Sequence, residues 1–131
     1  MTKKELSQLY YLNREIEEQT RRLSELEEIA TSCAVTITGM PHAPGITDKV
    51  ANYATEIADL RAILDLNLKK CFYELNRLNR YIASVDDSQM RLILSMRYIN
   101  GFSWTKIAMS IGGGNTPDSV RKAHDRFLQK N

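Results

Sequence analysis

The sequence predicts an all-α protein in which two long antiparallel or coiled-coil helices precede a small three-helix domain. Three observations carry this reading. Apolar residues recur at seven-residue spacing over residues 3–30, with no proline or glycine among them. The same spacing returns over residues 48–84, again without a helix breaker. Beyond residue 85 the pattern changes to short apolar-periodic segments, each bounded by capping residues or glycine.

In the first long helix, Leu9, Ile16, Leu23 and Ala30 repeat every seven residues, and Leu12, Gln19 and Leu26 form the second position of the heptad. Glu and Arg fill most of the remaining positions, so the helix is amphipathic and about 42 Å long at 1.5 Å per residue. Gln19 interrupts the apolar seam, a device that sets register at some loss of stability. Thr31 to Thr47 breaks the pattern with Gly39, Pro41, Pro44 and Gly45, and Val35-Thr36-Ile37-Thr38 is β-like. A connection over residues 31–47 is long for two helices, which are commonly joined by about 2–8 residues. Its ordinary role is that of a spacer.

Asp48 is placed to cap the second long helix, along which Val50, Ile57, Leu64, Cys71 and Leu78 keep the seven-residue step. Leu68, Leu75 and Ile82 form a neighbouring stripe, the drift expected of a straight 3.6-residue helix. A helix running to Ser84 is too long for one small domain to bury. It needs the first helix, another subunit, or both, so the long helices predict a homo-oligomer, a dimer or a tetramer. The chain thus divides into an oligomerisation region, 1–85, and a C-terminal domain, 86–131.

Val85-Asp86-Asp87-Ser88 provides a new N-terminal cap for a helix over 87–100, with Met90, Ile93, Leu94 and Ile99 as its core. Asn100-Gly101 ends it, because glycine takes the left-handed position without steric cost. Ser103 caps a second helix, Trp104 to Ile111, with Trp104, Ile107, Ala108 and Ile111 turned inward. Gly112-Gly113-Gly114-Asn115 forms the turn. Thr116 then caps a third helix with Pro117 at its first position and Asp118 near the positive end of its dipole. Val120, Ala123 and Phe127 face its core.

Composition removes several classes of function. The net charge of +2 is small, but residues 86–131 hold 7 Lys/Arg against 4 Asp/Glu, whereas residues 1–85 hold 11 against 12. The C-terminal domain therefore carries a mild basic bias, as a nucleic-acid-binding domain requires. Polar helical sequence follows Met1 where a secretory signal would be apolar, and no window suits a membrane span, so a cytoplasmic protein is expected. Cys33, His42, Cys71 and His124 lie too far apart in sequence to suggest a metal site, and no cofactor is expected. Gly112–Gly114 lacks the Gly-Lys-Ser/Thr that completes a phosphate-cradling loop. No catalytic triad or carboxylate pair has positional support. The expectation is a protein that is not an enzyme.

The C-terminal segment resembles the helix-turn-helix of sigma-factor region 4 (sigma-70 type). The residues that carry the resemblance are Arg97-Tyr98, Gly101 with Phe102-Ser103, Ile107-Ala108, Gly112, Pro117, Val120-Arg121 and Arg126-Phe127-Leu128. Family members usually have one glycine and an apolar residue in the turn, where this chain has three glycines. With two long helices in front, the whole is similar to phage-encoded late-transcription regulators of the RinA/ArpU type. That resemblance implies binding to double-stranded promoter DNA and contact with the host RNA polymerase.

Without the family, the logic of the third helix is physical. A well-capped basic helix presents a convex face that fits a major groove roughly 12 Å wide. With 120, 123 and 127 inward, Thr116, Asp118, Ser119, Arg121, Lys122 and Arg126 are the candidate DNA-binding residues. Arg121 and Lys122 suit guanine edges or phosphates, while Thr116 and Ser119 suit phosphates at the helix N-terminus. The same sequence also supports a solvated helix with no ligand, through i,i+4 pairs Asp118–Lys122 and Arg121–Asp125. Trp104, Tyr98 and Phe102 read as core rather than as base-stacking platforms. Two other functions stay open: a DNA-packaging protein resembling small terminase subunits, and a protein–protein interaction module.

Overall fold

The computed structural model describes residues 1–38 and 44–130, with side chains placed for 1–32 and 49–130. Every regular element among the described residues is helical, and the chain belongs to the all-α class. In order these are α1 (Lys3–Leu6), α2 (Gln8–Thr38), α3 (Pro44–Ala83), α4 (Ser88–Leu94) continued by a wide π-turn (Ser95–Ile99), α5 (Trp104–Ile111) and α6 (Pro117–Lys130). Among the described residues no helix is long and apolar enough to cross a membrane.

The first long helix starts at Lys3, as its sequence suggests, and ends later, at Thr38. Thr2 caps α1 through a reciprocal box in which Thr2 Oγ1 accepts from Glu5 N (3.2 Å) and Thr2 N donates to the Glu5 carboxylate (2.9 Å). The helix breaks only at Ser7 and resumes as α2. The connection expected over 31–47 is largely helical: α2 continues through the β-like stretch 35–38, and α3 begins at Pro44 rather than at Asp48. β-Branched residues lower helix propensity only slightly, so the stretch continues the helix, and Thr31 turns its hydroxyl back onto the Glu27 carbonyl (2.8 Å). What is left of the expected spacer, residues 39–43, lies outside the described residues, as does the side chain of Asp48.

Packing divides the chain elsewhere than at residue 85. One compact unit comprises Met1–Asn13 with Cys71–Asn131, and the other is Arg14–Lys70. The first unit holds the buried core: Leu6, Leu9, Leu78, Ile82 and Val85 lie with Met90, Ile93, Leu94, Tyr98, Ile107, Ala108 and Val120. At this end α3 is joined to α2 by the Cys71 thiol donating to Asn13 Oδ1 (3.1 Å) and to α1 by Arg77 facing Glu5 (3.8 Å).

The second unit is an antiparallel helix pair. Asn67 Nδ2 donates to Gln19 Oε1 (2.8 Å) and Arg61 to Glu27 (2.6 Å), so position numbers rise along one helix as they fall along the other. The polar interruption at Gln19 therefore has a polar partner. Asn67 is the one buried residue among those described in 14–70, whereas Leu68, expected on the apolar stripe, is 41% exposed.

Candidate nucleic-acid interface

The C-terminal helices are held in place by their caps. Asp87 accepts from Gln89 N (3.1 Å) to start α4, and Arg91 gathers the preceding link by donating to Val85 O (2.5 Å), Asp86 O (3.0 Å) and Ser88 Oγ (2.7 Å). In the wide turn, Asn100 N donates to Ser95 O (3.1 Å) and Phe102 N to Met96 O (3.0 Å). One extra residue is thereby taken up, and Tyr98 rather than the expected Ile99 becomes the buried residue. Gly101 ends the segment at φ +71°, with the Tyr10 ring 3.7 Å from where a Cβ would stand.

Arg97 ties the end of this segment to α5. Its guanidinium donates to Phe102 O (3.0 Å) and stacks over Trp104 at 4.3 Å. Ser103 caps α5 by accepting from Lys106 N (3.2 Å), and the Lys106 ammonium lies 3.9 Å over the Phe102 ring. Trp104 and Phe102 are half-buried against the core, in keeping with a structural role. The turn after α5 uses positive φ at Gly112, Gly113 and Gly114, and Asn115 closes it by donating Nδ2–H to Gly112 O (2.8 Å).

α6 presents its inner face through Val120 and His124, with Ala123 and Phe127 half-buried beside them. His124 adjoins that face in sequence and packs into it. It is fully buried, its Nε2 lies 2.6 Å from Tyr98 Oη, and its Nδ1 lies 3.0 Å from Asp125 Oδ1. Trp104 covers the ring at 4.9 Å. Burial pushes the His124 pKa down, against the opposing pull of the Asp125 carboxylate. Burial also pushes the Tyr98 hydroxyl up to about 12. The neutral imidazole thus accepts from the tyrosine and donates to the carboxylate. The only sequence signal was that position 124 follows Val120 by one helical turn.

The six candidate residues Thr116, Asp118, Ser119, Arg121, Lys122 and Arg126 are all exposed along α6, but they differ in what they are free to do. Thr116 and Ser119 form the cap: Ser119 N donates to Thr116 Oγ1 (3.1 Å) and Thr116 N to Ser119 Oγ (2.9 Å). The Ser119 hydroxyl also donates to Thr116 O (2.9 Å), so its proton is already used. Arg121 faces Asp118 at 3.4 Å and Asp125 at 4.0 Å. The expected Asp118–Lys122 pair is replaced by Asp118–Arg121. Among the described residues Lys122 and Arg126 have no carboxylate within ion-pair distance, and they flank a shallow hollow of about 320 Å³ with Asp125 and Gln129.

Among the described residues no group of three His, Cys, Asp or Glu side chains is placed to hold a metal ion. The side chains of Cys33 and His42 lie outside the described residues. No family model matches the chain, and neither the curated proteins nor the solved structures contain a match to it.

Proposed function

We propose that this is a DNA-binding transcriptional regulator, non-enzymatic, cytoplasmic and phage-encoded, which reads double-stranded promoter DNA with α6 and contacts the host RNA polymerase. It acts as a homo-oligomer, a dimer or a tetramer. The observation that supports the reading best is the division of α6 into two faces. Val120 and His124 anchor one face to the rest of the domain, while the other projects Arg121, Lys122 and Arg126 from a helix whose N-terminus is already capped. Cations and oriented backbone dipoles on one exposed face suit a phosphate-lined groove.

Within that face, Lys122 and Arg126 are the strongest candidates for phosphate contact because neither must first give up a carboxylate. Arg121 must leave Asp118 and Asp125 to reach a base, and that competition favours sites offering a bidentate guanine edge. Thr116 retains a hydroxyl proton for a phosphate at the helix start.

The test is selection of bound duplexes from random DNA, followed by titration of the best fragment at several salt concentrations. The Lys122→Ala/Arg126→Ala variant should weaken all sequences alike and lower the salt slope by about one per lost contact. Retention of parental affinity and slope would remove α6 as the DNA-contacting element. Binding to polymerase in the absence of DNA would then favour the interaction module, and a ring of roughly eight or more copies would favour the packaging role.

A further inference from the structure

The helix pair formed by residues 14–70 is incomplete as a folded body. Among its described residues no apolar side chain is buried, and the one buried residue is Asn67. A helix pair buries apolar stripes only on the faces turned to each other, whereas α3 carries apolar residues on a second face. Ile63 is 48% exposed and Leu66 53% exposed. Ile63 lines a groove of about 480 Å³ with Glu56, Asp59 and Leu60 of α3 and Arg22 and Leu26 of α2.

The order of residues on that second face identifies what covers it. Asp59, Ile63, Leu66 and Lys70 follow one another at steps of four, three and four, so they form one stripe within a narrow sector of the helix. The stripe reads acid, apolar, apolar, base. Its spacing is the same in both directions, and its ends carry opposite charge. Two such stripes laid antiparallel complement each other completely: each Ile63 meets the other's Leu66, and each Asp59 meets the other's Lys70. The charges are also uncommitted. Arg14, Arg21, Arg61 and Lys69 all have carboxylate partners within the chain. Among the described residues neither Asp59 nor Lys70 has an ion-pair partner, and both are exposed.

We infer that the partner of this face is a second copy of the same chain, packed α3 against α3 about a two-fold axis that passes midway between Ile63 and Leu66. The contact is isologous, each stripe acting at once as surface and counter-surface. Two helix pairs joined this way make a four-helix arrangement, the smallest in which the half-buried side chains of 14–70 gain a shared interior. The end charges set the antiparallel orientation, because a parallel pairing would place acid on acid and base on base. This proposal specifies the oligomer named above and is independent of DNA.

The experiment is sedimentation equilibrium of the full chain without DNA, for the parent and for D59K, K70E and the double variant D59K/K70E. All three changes are at exposed positions, so far-UV circular dichroism should confirm unchanged helix. The parent should dimerise. Each single reversal should weaken dimerisation by about five- to tenfold, because symmetry removes two ion pairs and creates two repulsions. The double variant should return to within about twofold of the parent, since the pairs re-form with signs exchanged. A monomeric parent, single variants that dimerise as tightly as the parent, or a double variant weaker than both singles would each overturn the assignment. The DNA titrations described above are read separately, so loss of the dimer interface and loss of DNA contact by α6 are distinguishable.

Discussion

The two compact units of this chain obtain their order from different sources. Around Leu94 and Ile107, neither of which is exposed at all, three short helices and the ends of the two long ones converge on an apolar interior. Between Arg14 and Lys70, longer and more regular helices enclose an asparagine and leave leucines and isoleucines in water. Length and periodicity make a helix easy to form, but interior is made by the number of faces that meet at a point. Three short helices and two helix ends can surround a side chain; two parallel rods cannot. The helix pair therefore relies on a half-buried apolar seam, on the Asn67–Gln19 bond and on surface ion pairs, the last two worth only about 0.5–1.5 and 0–1 kcal/mol each.

The largest expected effects test the interior of the first unit. Val120→Asp should abolish the folded C-terminal domain, since it buries a charge with no partner. Leu94→Ala should cost about 2–5 kcal/mol by urea denaturation, whereas Leu64→Ala, at a half-buried site in the helix pair, should cost well under half as much. Equal losses at the two sites would erase the contrast between the units.

Cooperativity gives a second measure. Trp104 is the single tryptophan and belongs to the first unit, so its fluorescence follows that unit while circular dichroism at 222 nm counts all helix. On denaturation the dichroism should begin to fall before the fluorescence changes, and the early phase should shift with protein concentration. Coincident, concentration-independent transitions would show that the units unfold as one.

A smaller effect should come from acid. His124 is buried as the neutral imidazole and its pKa lies below the usual 6.5. Its contribution is fully present above that value, because the unfolded chain then binds no more protons than the folded one. As pH falls from 6.5 through the depressed folded value, the unfolded state takes up the proton first and stability declines. Unfolding midpoints of the parent should drop between pH 7 and 5, and His124→Gln should flatten that part of the profile. A parallel profile in the variant would assign the acid sensitivity to other groups.

The smallest change should follow Asp118→Asn. It removes an exposed i,i+3 pair, so stability should move by less than about 0.5 kcal/mol. Binding to DNA should tighten slightly, because Arg121 is released and a negative charge leaves the helix face. Weaker binding would mean that the carboxylate itself takes part.

Much of the local architecture was legible in the sequence because local chemistry decides it. Ser103 and Thr116 cap the helices that follow them, and α5 spans Trp104–Ile111 as its periodicity predicted. Errors arose where the deciding interaction is not local. The β-like composition at 35–38 did not outweigh the continuing ladder of helical hydrogen bonds. The inward position of His124 depends on Tyr98, 26 residues away, supplying a hydroxyl at the right height. At the candidate interface the exposed set was readable from the positions of Val120 and Phe127. Which cations are held by carboxylates was not, because Asp118 could reach either residue 121 or residue 122 and only rotamers choose between them.

The wide turn at Ser95–Ile99 has a consequence for how this region tolerates insertions and deletions. Such a turn is a helix that has accommodated one surplus residue without breaking. Removing one residue there would restore an ordinary α-helix with the flanking residues in register, whereas adding one more would rotate everything beyond it by about 100° relative to α4. Tyr98 would swing away from His124 and Arg97 away from Phe102 and Trp104. The lesion would be invisible to any count of helical residues and severe for the placement of α6. A one-residue insertion is therefore more damaging at this point than most changes of residue type.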